Sequence, residues 1–196
     1  MSEETMPGET KPTTLHILAI SGSLRKVSSN TALLQAAIAL APENLEVKLY
    51  EGLGALPHFN PDLEPTEPPS VTDLRQQVQW SDGLLISSPE YAHGVPGVLK
   101  NALDWLVNGE EFVGKPIALL NASPRAIHAQ ASLTEIVTVM AGRVIPAASI
   151  TVPLLGQNLD AAGIASDAEL SSALHTAIVT FASAIQRCQS EAVRLL

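Results

Sequence analysis

Cysteine is nearly absent from this chain, with one thiol, Cys188, in 196 residues. That excludes an internal disulfide and any cysteine-rich metal site. Charged residues are scarce at 16% and aromatics scarcer at 4%, while hydrophobic residues reach 46%. A chain so apolar and so weakly charged is not a disordered one. Long apolar runs are missing as well. Stretches such as Leu15 to Ile20 fall far short of the ~20 residues that a membrane-spanning helix needs. No charged segment followed by an apolar core opens the sequence, as a secretory signal would. The expectation is a soluble, cytoplasmic domain with no membrane insertion.

Basic residues are also in short supply. Eleven Lys and Arg stand against twenty Asp and Glu, a formal charge of −9. The basic residues are scattered, and only Arg25 and Lys26 are adjacent. Without a basic face or stripe, nucleic acid is not an expected partner. A small phosphate ligand remains compatible, because exposed charges beyond about 8 Å are screened at physiological salt.

What the chain does have is an alternation of short apolar runs and longer helical patterns. Met1 to Thr14 is polar, contains prolines, lacks periodicity and reads as a mobile tail. Residues 15–196 read as one domain. Strands are expected at Leu15 to Ile20, Leu45 to Tyr50, Gly83 to Ser87 and Pro116 to Leu120, with a fifth within Arg143 to Val152, where Pro146 interrupts. Helices are expected at Asn30 to Ala41, Ser70 to Trp80, Pro96 to Val107 and Ser132 to Met140, and Leu53 to Pro69 reads as a long loop. A last helix is signalled by a capping box, Ser166 with Glu169. Its stripe runs through Leu170, Leu174, Ile178, Phe181, Ile185 and Cys188, which makes Cys188 an expected inert, buried thiol.

Apolar strands alternating with helices imply a parallel sheet covered on both faces. In such α/β sheets, ligands bind beyond the carboxyl ends of the strands. Three strand ends carry small, polar, turn-forming residues: Ser21 to Lys26, Ser87 to Gly94 and Asn121 to Arg125. These loops are expected to meet and form the site.

The first of them leads into a helix N-terminus, with Ser23, Ser29 and Asn30 as short donors and Arg25 as a fixed positive fork. This chemistry suits a phosphate, although Ser29 or Asn30 serving only as the helix cap fits the same pattern. Familiar phosphate motifs do not apply. Gly109 to Pro116 spells most of a Walker A loop but ends in proline and precedes a strand, and Gly52-Leu53-Gly54 lacks a third glycine. The five histidines show no metal-ligand spacing, so no metal is expected. Among them, His93 sits in a strand-end loop and is a candidate ligand contact. Glu90 is either an acid–base group or a carboxylate that orders its own loop. So few acid–base groups suit a reaction whose chemistry resides in a cofactor.

Gly22-Ser23-Leu24-Arg25-Lys26-Val27-Ser28-Ser29-Asn30 resembles the phosphate loop of the NADPH-dependent FMN reductase family, which includes quinone, azo-dye and chromate reductases. Ser88-Pro89-Glu90-Tyr91, continued by Pro96 to Trp105, resembles its second signature. Leu56 to Glu64 and Gly114-Lys115-Pro116, leading into Ala122-Ser123-Pro124, are similar too. The resemblance implies a flavodoxin-like fold, a five-stranded parallel sheet in the order 2-1-3-4-5 with helices on both faces. It implies FMN as cofactor, its phosphate on Ser23, Leu24, Arg25, Ser29 and Asn30. The ring would lie against Pro89, Glu90, Tyr91, Ala92 and His93, with Ser123 approaching from the next loop.

The resemblance further implies NADPH or NADH as co-substrate and a small-molecule acceptor, served in turn on one flavin face. Candidate acceptors are a quinone, an azo compound, a metal oxyanion or free flavin. It assigns no catalytic side chain. It also implies a homodimer or homotetramer, for which the apolar residues of Val95 to Val107 offer surface. Two other classes fit the same fold: an electron carrier without NAD(P)H activity, and a binding module. The chain departs from the family pattern in two places. Many relatives place Asn-x-Ser after the tyrosine, where this chain has Ala92-His93-Gly94. Many carry glycines after Ser123-Pro124, where this chain has Arg125, Ala126, Ile127 and His128.

Overall fold

The computed structural model describes residues 14–194, so the expected tail lies outside the described residues apart from Thr14. Five parallel strands form one sheet in the order β2-β1-β3-β4-β5. They are β1 (Leu15–Ser21), β2 (Leu45–Leu49), β3 (Gly83–Ser87), β4 (Pro116–Leu120) and β5 (Arg143–Val144). Six helices cover the sheet: α1 (Ser29–Ala39), α2 (Pro69–Trp80), α3 (Gly97–Leu106), α4 (Ile127–Val139), α5 (Ala161–Ser166) and α6 (Ala168–Arg194).

The period-two alternation of the strands divides the core into two. Ile17, Ala19, Leu85, Ala118 and Leu120 face one way and pack with α1, α5 and α6. Leu18, Ile20, Leu84, Ile86, Ile117 and Leu119 face the other way and pack with α2, α3 and α4. The register sets Ala19 beside Leu85 and Leu85 beside Ala118, so small and large side chains share a row. Gly83 lets α6 approach the sheet closely: a Cβ there would sit 2.8 Å from Ile185 and 2.9 Å from Phe181.

Several boundaries differ from the sequence reading. The fifth strand ends after two residues, because Pro146 has no N–H for the ladder and the chain turns through Pro146–Ala148. It returns only as a bridge between Asn121 and Thr151. The last helix is capped by Asp167 and not by Ser166, which belongs to α5; Asp167 Oδ1 accepts from the amides of Glu169 and Leu170. The loop Leu53 to Pro69 contains two 3-10 turns, at Gly52–Ala55 and Pro61–Thr66. The helix expected from Ser132 starts at Ile127. Cys188 is half-buried beside Arg143, where the stripe predicted full burial.

Helix α6 is long and apolar enough over Ala168–Glu191 to span a bilayer by length and composition. Its stripe of Leu170, Leu174, Ile178, Phe181 and Ile185 instead packs on the sheet. Helix α3 likewise turns Leu99, Ala102, Leu103, Trp105 and Leu106 into the core, leaving little of the expected apolar surplus. Its Asn101 and Trp105 hold the loop before α2: both donate to the Pro57 carbonyl, and Asn101 Oδ1 accepts from the Phe59 amide at 2.8 Å. Two of the segments that carry the family resemblance are therefore in direct contact.

Candidate functional site at the carboxyl ends of the strands

The loops after β1, β3 and β4 gather at the carboxyl ends of their strands. The loop after β1 is drawn against β3 by the Gly22 amide, which donates to the Ser87 carbonyl at 2.8 Å. Space at position 22 is tight: a Cβ would lie 3.0 Å from the Leu99 side chain and 3.3 Å from Ser88 Oγ, so either would have to shift. From the same residue, Ser87 Oγ donates to Asn30 Oδ1 at 2.9 Å, fixing the first turn of α1.

Within this loop the serines form short side-chain turns. Ser21 Oγ accepts from the Ser23 amide and Ser23 Oγ from the Arg25 amide, at 3.4 and 3.3 Å. The cap of α1 is Ser28, whose hydroxyl accepts from the Thr31 amide; neither Ser29 nor Asn30 takes that role. The Ser23 and Ser29 hydroxyls thus keep a proton to donate. Arg25 and Leu24 stand exposed. With the positive end of α1 behind them, these groups have the donor chemistry that an anion seat would need.

The loop after β4 repeats the construction. Asn121 Oδ1 accepts from the Ser123 amide at 3.0 Å, and Ser123 Oγ from the Arg125 amide at 3.2 Å. Between the two loops lies that of β3. Tyr91 and Gly94 exchange backbone hydrogen bonds across a tight turn, which puts Ala92 and His93 at φ 49° and 60°. Left-handed backbone at two successive non-glycine residues is unusual and carries strain.

An open cleft of about 330 Å³ runs between these walls. Ser29, Asn30, Pro89, Glu90 and Ser123, all expected at the site, line it. Leu24, Arg25 and Tyr91 line a second groove of about 470 Å³ together with Gly22 and Pro96 to Val98. Ser23, Ala92 and His93 line neither of the two. The cleft also includes Ser88, Asn121, Ala122 and Arg125 from the expected loops, and Ala126 and Leu155, which lie outside them. Leu155 follows the Asn121–Thr151 bridge, and no sequence pattern marks that return.

Glu90 does not order its own loop. Its Oε2 accepts from the backbone amides of His128 and Ala129, at 2.9 Å each, in the first turn of α4. The Ala129 amide and, behind it, the His128 amide hold the carboxyl below the usual carboxylate range, against the effect of desolvation. Glu90 is therefore a poor proton donor near neutrality. His93 stacks on His128 with ring centroids 4.3 Å apart. Both departures from the family pattern meet in that stack. Among the described residues no three metal-ligating side chains converge.

A family model described as NADPH-dependent FMN reductase matches residues 15–154, which contain all three loops. An NAD(P)H-dependent FMN reductase of Pseudomonas aeruginosa is 43% identical over 112 residues, 56% of this chain and 60% of that protein. A quinone reductase of Escherichia coli is 34% identical over 113 residues, with the same coverage of 56% and 60%. The chain thus spans about 60% of the length of these curated relatives. Among solved structures, the flavoenzyme NAD(P)H:(acceptor) oxidoreductase FerB of Paracoccus denitrificans superposes with a TM-score of 0.80 at 30% identity. That match covers 89% of this chain and 98% of that one. The flavodoxin-like sheet, the seat after β1 and the match across residues 15–154 agree: this chain belongs to the NADPH-dependent FMN reductase family.

Proposed function

We propose that the chain is an FMN-dependent oxidoreductase that passes electrons from NADPH or NADH to a small diffusible acceptor. The observation that carries this reading is the anion seat after β1, opening beside the cleft walled by the β3 and β4 loops, in a chain of this family. The residues fit the cofactor. Ser23, Leu24, Arg25, Ser29 and Asn30 would hold its phosphate, through hydroxyl, backbone and guanidinium donors that suit a dianion. Pro89, Glu90, Tyr91, Ala92 and His93 would lie against its ring, mainly through backbone groups, and Ser123 would approach from the facing loop.

Held by these residues, FMN would supply the redox chemistry, hydride transfer from NAD(P)H and electron transfer to the second substrate. The chain would bind and orient: Arg25 would neutralise charge, and no side chain has to move a proton. Because the cleft is open on one side, NAD(P)H and the acceptor would use it in turn, giving ping-pong kinetics. The names of the relatives make quinones the first acceptors to try. Azo compounds, metal oxyanions and free flavin come next.

Assembly as a homodimer or homotetramer belongs to the same proposal. It rests on apolar side chains left exposed near the site, Leu24, Tyr91 and Ile127; light scattering reads the mass directly. A cytoplasmic setting, where NAD(P)H is held, suits the co-substrate.

The experiment is a visible spectrum of the purified protein with and without added FMN, followed by anaerobic NADPH and then NADH. A bound-flavin spectrum that bleaches is the expected result. Flavin that neither nucleotide bleaches would make the chain an electron carrier. No flavin binding at all would make it a binding module on the same fold.

A further inference from the structure

Helix α4 has no cap of its own. Its N-cap position is Ala126, which has no side-chain acceptor. The amides of His128 and Ala129 are the two donors that a serine or aspartate at that position would take. Glu90 takes them from another loop, 38 residues from His128 in sequence. Among the described residues, these two hydrogen bonds are the ones that cross between the loops after β3 and β4. The loop after β4 otherwise bonds to itself, through Asn121 and Ser123, and to the β5 return. The stack of His93 on His128, planes 9° from parallel, joins the same loops a second time.

Pro89 and Glu90 stand on one wall of the cleft, and Ser123, Arg125 and Ala126 on the other. The cross-loop cap therefore ties the two walls at their rim. We propose that Glu90, supported by the His93–His128 stack, is a positioning residue that sets the separation of the two walls and through it the affinity for FMN. This rests on the FMN reading above. It gives the Glu90 side chain a role through the facing loop, separate from the backbone contact proposed with the ring.

The test is titration of the full chain with FMN, read by quenching of flavin fluorescence, with thermal melting alongside. Glu90→Ala is expected to weaken FMN binding at least tenfold. Glu90→Gln keeps an oxygen that accepts both amides and is expected to stay within about threefold of the wild-type protein. The deciding variant is Glu90→Ala with Ala126→Ser. The serine restores a local cap to α4 without tying the loops, so the melting temperature should recover while FMN binding stays weak.

Recovery of full affinity in that double variant would show that Glu90 only caps a helix, and would overturn the proposal. Unchanged affinity in Glu90→Ala would overturn it too, leaving the FMN reading intact. If neither alanine variant folds, Glu90 is a folding residue and the positioning role is withdrawn. Failure of the wild-type protein to bind FMN would remove the reading on which the proposal rests, and the proposal with it.

Discussion

Ser87 and Asn30 meet inside the protein, the serine hydroxyl donating to the asparagine carbonyl oxygen at 2.9 Å with both side chains buried. The bond joins the end of β3 to the first turn of α1, which holds the anion seat in place. Ser87→Ala leaves the asparagine oxygen buried without that donor, at an expected cost of about 1–3 kcal/mol. Asn30→Ala in the same background should add less than it does alone, a coupling of about 1 kcal/mol. Urea midpoints at constant m-value give both numbers. Strict additivity would mean that the bond does not couple the two elements.

Arg25 is the one fixed cation on the loop after β1 that reads as phosphate-facing. Arg25→Ala is expected to weaken FMN binding at least tenfold, since a charge-assisted hydrogen bond contributes about 1.5–3 kcal/mol. Fluorescence titration measures it. The binding should also weaken with added salt in the wild-type protein and do so less in the variant. Equal affinities would remove Arg25 from the seat.

The turn Tyr91 to Gly94 is strained at Ala92, whose φ is 49°. Ala92→Gly should stabilise the protein by about 0.5–1 kcal/mol. The left-handed penalty removed is about 1–2 kcal/mol, and the entropy glycine adds to the unfolded chain returns about 0.4–1. Ala92→Val should destabilise by more than about 1 kcal/mol, because a β-branched residue resists this conformation further. Denaturant midpoints of the two variants should therefore move in opposite directions.

Acid should release the cap on α4. The Glu90 carboxyl is held below its ordinary value when folded. Its contribution to stability is thus fully present above the unfolded value, about pH 4.3, and is lost as the pH falls through the lower folded value. The titratable groups facing it are His93 from its own loop and His128 from α4. Backbone amide resonances of His128 and Ala129 should titrate together with a midpoint below 4.3, and should not do so in Glu90→Gln. A midpoint at the ordinary carboxylate value would contradict the cap.

The strands and the three loops of the site were legible because each rests on local pattern, an apolar run or a cluster of turn residues, whereas the order of the strands came from the family resemblance. Several of the misreadings share one cause, which is that the partner lies elsewhere in the chain. Helix α4 was expected to start at Ser132 because no capping residue stands near Ala126; its cap comes from Glu90. Leu155 was overlooked as a cleft residue because a bridge from Asn121 to Thr151 brings the later segment back. The stack of His93 on His128 joins two departures that look unrelated in sequence. Helix α3 offered more apolar residues than one stripe needs, yet it lies deep enough in its own core to bury nearly all of them.

The two edges of the sheet are unlike its centre. β2 lasts five residues and leaves Glu46 and Lys48 in solvent, while β5 pairs for two residues before Pro146 ends the ladder. An edge that is charged, or that stops at a proline, is a poor template for an incoming strand. Any association between copies of this chain is therefore expected through helix and loop surfaces, and strand addition at either edge is disfavoured.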